Sequence, residues 1–191
     1  MNSEHIMARF LLSPTAAPNQ LKDTRKKRAS AVMLPIIDVD NHAHILLCKR
    51  PTYLHHHPRE ICLPGGKFEV SDITLRTTAL RELKEELNIA ESNVNVLGHL
   101  PEYSTLTGFS ISPYVGLLNK STTWENDYNE VQASFLLSIT ELNNEANWQP
   151  LPFQRFGKTV ILQGFKTPHG LLWGATANII KNFTKQLALP V

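Results

Sequence analysis

The sequence predicts an α/β protein, a mixed β-sheet flanked by helices. Three observations point there. Apolar runs of strand length recur at 31–37, 45–50, 94–100, 111–118, 135–139 and 160–165, and runs of that length between polar turns read as strands. Two other stretches, 74–87 and about 175–187, read as helices. The two kinds of element follow one another without a strict βαβ rhythm, which favours a mixed sheet over an all-parallel one.

In chain order, residues 4–12 form a short amphipathic helix, and two prolines make 13–20 a loop. The basic run Arg25-Lys26-Lys27-Arg28 follows. Ala31 to Ile37 is a strand that Pro35, lacking an N–H, pushes toward an edge or a bulge. The polar turn 38–42 leads to a return strand, Ile45 to Arg50. Residues 51–62 form a loop carrying His55, His56 and His57. Leu63-Pro64-Gly65-Gly66 makes a tight Gly-rich turn within 63–72. The helix from Thr74 to Leu87 has Asp72 and Thr74 as candidate N-caps and ends near Asn88, which tolerates a left-handed cap. Strands are expected at Val94–Leu100, Ile111–Leu118 (marked by Pro113), Phe135–Ile139 and Val160–Phe165, with a polar loop at 119–130 and a closing helix over 175–187. Residues 1–27 read as an N-terminal extension and 28–191 as the main domain.

Composition narrows the function. The 191 residues suffice for one domain with a proper core, at 42% apolar and 19% charged. A net charge of +2 gives no bulk argument for nucleic acid or a membrane. No stretch reaches the ~18 apolar residues of a membrane span. The apolar patch Ile6 to Leu12 is broken by Arg9 and does not read as a signal peptide. Two cysteines, Cys48 and Cys62, make no disulfide framework, so a reduced, cytoplasmic protein is expected, with both thiols as small buried groups.

The chemistry concentrates in Arg81-Glu82-Leu83-Lys84-Glu85-Glu86-Leu87. At about 100° per residue, Glu82, Glu85 and Glu86 share one helix face, and Leu80, Leu83 and Leu87 the opposite one. Like charges at this spacing repel, an arrangement that makes sense if cations bind there. Mg²⁺ and Mn²⁺ prefer hard oxygen ligands and meet phosphate oxygens readily. Arg81 can brace Glu85 four residues on, Glu69 and Asp72 add carboxylates, and Gly65 and Gly66 let backbone approach the site closely. Taken alone, such a triplet is more often a solvated helix face; the glycines upstream and Arg81 in place tip the reading to a metal site. The three histidines are a poor zinc set, with no suitably spaced cysteine. The basic run is more often a solvated turn than a nucleic-acid arm, and a third reading gives one of its residues a substrate phosphate. Gly157-Lys158-Thr159 lacks the upstream glycine of a phosphate loop. Trp173 and Phe183 belong with the core.

The run Gly66 … Asp72 … Arg81-Glu82-Leu83-Lys84-Glu85-Glu86-Leu87-Asn88-Ile89 resembles the Nudix box, Gly-x5-Glu-x7-Arg-Glu-U-x-Glu-Glu-x-Gly-U, with U a bulky aliphatic. Gly66 to Arg81 is one residue longer than that pattern, Asp72 stands for the first Glu, and Asn88 for the last Gly. The first two departures are similar to the coenzyme A pyrophosphatase subfamily. So is the upstream stretch Leu46 to Gly66, where Arg50, Leu54, His57 and Pro64-Gly65-Gly66 match that subfamily's signature, while Arg59 and Leu63 replace its Gly and Phe. Thr107-Gly108-Phe109 to Pro113, Asn129-Glu130-Val131 and Leu172 to Ala177 also look like family landmarks.

The resemblance implies a Nudix-type α/β/α sandwich and a divalent-metal-dependent hydrolase, with Mg²⁺ or Mn²⁺ as cofactor. It would cut the pyrophosphate of coenzyme A or its derivatives into 3′,5′-ADP and 4′-phosphopantetheine or its acyl form. Glu82, Glu85 and Glu86 map onto metal ligands. Glu85, Glu86 and Arg81 are the catalytic candidates, with Glu130 a loop alternative for the base, and Arg50, His57, Gly65 and Gly66 fall at substrate-binding positions. The partner is a small nucleotide, and the oligomeric state, a homodimer included, stays open. Two rivals remain: a Nudix hydrolase of another nucleoside diphosphate derivative, which Arg59 motivates, and a nucleotide-binding regulatory module without turnover.

Overall fold

In the computed structural model the described residues are 1–13, 27–53, 58–105, 107–155 and 157–188. An eight-stranded mixed sheet carries α2 on one face and α1, α3 and α4 on the other. The helices are α1 (Ser3–Leu12), α2 (Leu75–Leu87), α3 (Ile139–Asn143) and α4 (Gly174–Ala188). The strands are β1 (Arg28–Val39), β2 (His42–Lys49), β3 (Ile61–Cys62), β4 (Gly65–Lys67), β5 (Val94–His99), β6 (Tyr103–Ser104), β7 (Phe109–Leu118) and β8 (Ala133–Ser138). Three more, β9 (Trp148–Arg155), β10 (Lys158–Thr167) and β11 (Gly170–Leu172), make a separate antiparallel sheet.

β1 and β2 form a hairpin closed at Asp40 and Asn41, both in the left-handed region (φ 48° and 63°). Asn and Asp tolerate that conformation, and a two-residue turn of this kind matches strand twist. The hairpin pairs only from Ile36 to Val39 and then splays. Into the fork runs the segment 60–67. Its first part pairs with β2 (Cys48 opposite Cys62), and its last part pairs with β1 (Val32 opposite Gly65). Between them the Met33 amide donates to the Pro64 carbonyl at 2.9 Å. Gly65 and Gly66 therefore lie in a short strand rather than in the tight turn the sequence suggests.

Pro35 is a second correction. Its strand is interior, flanked by β2 and by the parallel β7, not an edge. Alternation aims the N position of Pro35 the same way as the Met33 amide, into the fork between the β4 and β2 pairings, where no ladder bond is lost. Pro113 uses the same device in β7. It sits between the stretches paired to β6 and to β5, and its own carbonyl accepts from Leu100 N at 2.8 Å.

The α2 side buries Ala79, Leu80, Leu83 and Leu87 against Ala31, Met33, Ile37 and Leu46. The other side gathers Ile6 and Phe10 of α1, Leu34, Ile36, Ile45 and Leu47 of the sheet, and Ile179, Ile180 and Phe183 of α4. Phe183 is fully buried as expected, whereas Trp173 is only half-buried. α1 is fastened at its start by Ser3, whose backbone and hydroxyl both donate to Asp38, at 2.8 and 2.6 Å. The strands β3, β4, β6, β9 and β11 and the helix α3 have no counterpart in the sequence reading. β9 carries Pro150 and Pro152, which mask a strand in sequence; here it is an outer strand of the small sheet.

Candidate active site

α2 starts at Thr74, whose hydroxyl accepts from Thr77 N while Thr77 Oγ1 accepts from Thr74 N, at 3.1 and 3.0 Å. It ends at Asn88 in the left-handed conformation, φ 54°. Thr74, not Asp72, is thus the cap of α2. Asp72 has a different task. Its buried carboxylate receives Arg81 Nε at 2.8 Å and Arg81 Nη2 at 3.1 Å, with Thr78 Oγ1 at 2.8 Å and Glu69 N at 2.9 Å. The bidentate arginine, more than burial opposes it, holds the Asp72 carboxyl well below the usual carboxylate range. Both its oxygens are thereby engaged, so Asp72 adds no free carboxylate to the site.

The residue that lengthens the box is absorbed between Asp72 and Thr74. Ile73 takes φ 62°, ψ −47°, and Thr74 N donates back to Asp72 O at 2.6 Å. This is a γ-turn of the rare, strained kind, centred on an exposed β-branched residue.

Arg81 reaches in three directions. Besides Asp72, it contacts Glu82 Oε1 at 2.9 Å and Glu85 Oε2 at 2.8 Å, and it donates to the Lys67 carbonyl at 3.0 Å. The expected brace to Glu85 is therefore present and extends to Glu82, tying α2 to β4. These contacts raise the already high pKa of the guanidinium, the Asp72 bond most.

The three glutamates are not equivalent. Glu85 is half-exposed on its arginine. Glu82 lies against β4, where a Cβ on Gly66 would enter its carboxylate. Glu86 is 2% exposed, and its Oε2 finds no hydrogen-bond partner among the described residues. Burial, then the charges of Glu82 and Glu130, push Glu86 up to about 8, against Arg50 and the Gly65 amide. Burial likewise raises Glu82, with Glu85 and Glu130 adding to it. Glu130, in the loop after β7, is exposed yet felt by both glutamates.

Arg50 is near enough for its charge to oppose the rise at Glu86. Its Nε is buried without a partner among the described residues, and its charge works against the burial that raises Cys62. Cys48 is fully buried and Cys62 half-buried; burial raises both thiols, Cys62 up to about 12, so both are protonated and inert as nucleophiles. His55, His56 and His57 lie outside the described residues, as do Arg25 and Lys26 of the basic run. Arg28 of that run opens β1 rather than a turn.

Among the described residues no three acidic, histidine or cysteine side chains stand ready-clustered around an ion, since Glu82 and Glu85 turn to Arg81. The donor set nevertheless suits a hard divalent cation: an orphaned buried carboxylate oxygen on Glu86, a second carboxylate on Glu82, and a side-chain-free cradle at Gly66. A cation there would meet the one buried oxygen of the pair, Glu86 Oε2, that no described group satisfies.

Residues 26–156 match the NUDIX domain. The chain is 30% identical over 188 residues to a Salmonella paratyphi B protein described as "Uncharacterized Nudix hydrolase NudL", covering 97% of this chain and 95% of that one. Among solved structures it is similar to a MutT/nudix family protein from Enterococcus faecalis (TM-score 0.55, 16% identity, 88% of this chain and 63% of the other). It is also similar to a C. elegans Ap4A hydrolase in a binary complex (TM-score 0.51, 18% identity, 58% and 80%). The chain belongs to the Nudix hydrolase family. It is accordingly a Nudix hydrolase of a nucleoside diphosphate derivative, in a family whose members generally use divalent metals.

Proposed function

We propose that the protein hydrolyses the pyrophosphate of coenzyme A or its thioesters, releasing 3′,5′-ADP and 4′-phosphopantetheine or its acyl form. The observation that carries the hydrolytic part is the orphaned carboxylate oxygen of Glu86, buried beside Glu82 where β4 meets α2. The coenzyme A part is supported by the lengthened box, folded here as the Ile73 γ-turn, and by the Arg50 to Gly66 signature, of which residues 60–66 run into the fork of the β1–β2 hairpin.

Glu82, Glu85 and Glu86 would hold Mg²⁺ or Mn²⁺. Bound there, the cation supplies charge neutralisation on the phosphate oxygens and a more acidic water. The chain's residues then divide the remaining work. Arg81 fixes Glu82 and Glu85 in place by bonds of 2.8–2.9 Å. Arg50 sets a positive charge near Glu86 and would meet the incoming phosphates. Glu86 or Glu85 takes the proton of the attacking water, with Glu130 the candidate on the facing loop. One P–O bond forms to the water oxygen and the bridging P–O bond breaks. The partner is a small nucleotide, and two unpaired thiols support residence in the cytoplasm.

The test is direct. Purified protein is incubated with coenzyme A and Mg²⁺ or Mn²⁺, and 3′,5′-ADP is sought alongside a panel of ADP-ribose, sugar nucleotides and dinucleotide polyphosphates. Coenzyme A is expected to have the highest catalytic efficiency. A folded protein that yields no product from it with either metal overturns the reading.

A further inference from the structure

Glu130 belongs to a loop, residues 125–132, that is fastened at both ends. At its start Glu125 N and Asp127 N donate to the Leu87 and Glu86 carbonyls, at 3.1 and 2.9 Å. Two of the last carbonyls of α2, which no residue of the helix itself can satisfy, are thereby paired. At its end Gln132 N donates to the Lys49 carbonyl of β2 at 2.8 Å, and Val131 is buried in the core on the α2 side. Between these fastenings Asp127 organises a turn. Its carbonyl accepts from Glu130 N and Val131 N, at 2.9 and 2.7 Å, and its Oδ1 accepts from Asn129 N and Nδ2, at 3.0 and 2.8 Å. These bonds give the turn its shape without fixing where it stands.

Tyr53 reaches the turn from outside. Its hydroxyl donates to the Tyr128 carbonyl at 2.6 Å and to the Asn129 carbonyl at 3.2 Å. Tyr53 lies three residues beyond Arg50, between β2 and β3, so its bond joins the segment of Arg50 to the loop of Glu130. Both of those residues act on Glu86 by charge, Arg50 opposing its rise and Glu130 adding to it. The turn therefore stands beside the carboxylates of α2. The Tyr53 side chain is 64% exposed and gains little from packing. A single hydrogen bond at the surface adds little to global stability. A displacement of about 1 Å in a group that takes part in a reaction can nevertheless cost about 10²-fold in rate.

We propose that Tyr53 is a positioning residue: its hydroxyl holds the turn 128–130 so that the Glu130 carboxylate faces Glu82 and Glu86 during hydrolysis. This rests on the reading of the site given above. Tyr53 touches neither the substrate nor the metal ligands in this role and acts through Glu130 alone.

Tyr53→Phe tests it, since it removes the hydroxyl and keeps the ring. Hydrogen exchange, followed by mass spectrometry on the full-length protein without substrate, reads the hold on the turn. The amides of 128–132 are expected to exchange about three- to tenfold faster in the variant, with those of α2 unchanged. Steady-state hydrolysis of coenzyme A with Mg²⁺ is then compared for wild type, Tyr53→Phe, Glu130→Gln and the double variant. Tyr53→Phe is expected to lower kcat about three- to tenfold and to change KM less. In the double variant the loss is expected to equal that of Glu130→Gln alone, because the two residues act as one unit. Independent, multiplying losses overturn the proposal, as does wild-type turnover in either single variant. If coenzyme A is not cut, the substrate reading fails and the exchange rates alone decide whether Tyr53 holds the turn. If it is cut while exchange and kcat in Tyr53→Phe match wild type, the positioning role fails and the hydrolase reading stands.

Discussion

Glu86 and Asp72 show how one short stretch uses two carboxylates in opposite ways. Asp72 is buried with every oxygen engaged, so it stays ionised. Glu86 is buried with an oxygen left over, and it is pushed up to about 8. Asp72 therefore serves structure. Asp72→Ala is expected to cost about 3 kcal/mol, because it strands part of a buried guanidinium, measured by urea unfolding. The pH dependence follows from the direction of its shift. Its folded pKa lies below the unfolded one, so its contribution is complete above the ordinary carboxylate range and is lost as pH falls below about 4. Asp72→Asn is expected to flatten that acid limb of stability against pH. Glu86→Gln should do the reverse, lowering kcat by about 10²–10⁴-fold without lowering the melting temperature, since a neutral amide is easier to bury than a carboxylate. Comparable rates in the variant and wild type would remove Glu86 from the chemistry.

The loop into α2 turns a difference in length into a difference in conformation. One extra residue between Gly66 and Arg81 is folded away at Ile73, in the γ-turn closed by Thr74 N and Asp72 O. A β-branched side chain at positive φ costs about 1–3 kcal/mol, and Ile73 is 86% exposed, so no packing returns that cost. Ile73→Gly is therefore expected to raise stability by about 1 kcal/mol after the entropy of a flexible glycine is set against the relieved strain. Unchanged or lowered unfolding free energy would show that the turn is not strained in solution. On the sheet side, β4 is the matching element. It brings Gly66 against Glu82 and offers the Lys67 carbonyl to Arg81, so that strand and helix are registered by hydrogen bonds rather than by apolar contact alone.

At the scale of the whole molecule, the two faces of the sheet have separate duties. The α2 face holds the carboxylates, and the opposite face holds the larger apolar layer closed by α1 and α4. α1 precedes the segment that matches the family, yet it is part of that layer. Ile6 is fully buried, the Phe10 ring lies 6.3 Å from that of Phe183, and Arg9 caps the end of α4 through the Leu187 carbonyl at 2.8 Å. Ile6→Ala is expected to cost about 2–5 kcal/mol, as for other truncations of fully buried aliphatic residues. Thermal unfolding followed by circular dichroism measures it. A change under about 1 kcal/mol would mean that α1 is only loosely attached.

What the sequence determined by itself is local. The period of Leu80, Leu83 and Leu87, with Asp72 and Thr74 as candidate caps and Asn88 at the end, specifies where α2 lies, because these signals act over one or two helical turns. The polar turn over 38–42 and the strands on either side are legible for the same reason, and pairing narrows the turn to Asp40 and Asn41. The carboxylate face of α2 could also be read from spacing, and with it the kind of ion and bond the site would suit. Only the tertiary structure decided how the three glutamates differ, since Glu86 is 2% exposed while Glu85 stays half-exposed. It also decided that Pro35 is interior, that Gly65 and Gly66 form a strand, and that Asp72 belongs to Arg81. Most of these depend on a partner far along the chain, and Asp72 on one beyond its own turn, and hydrogen-bond pairing and burial across such distances leave no periodic trace in sequence.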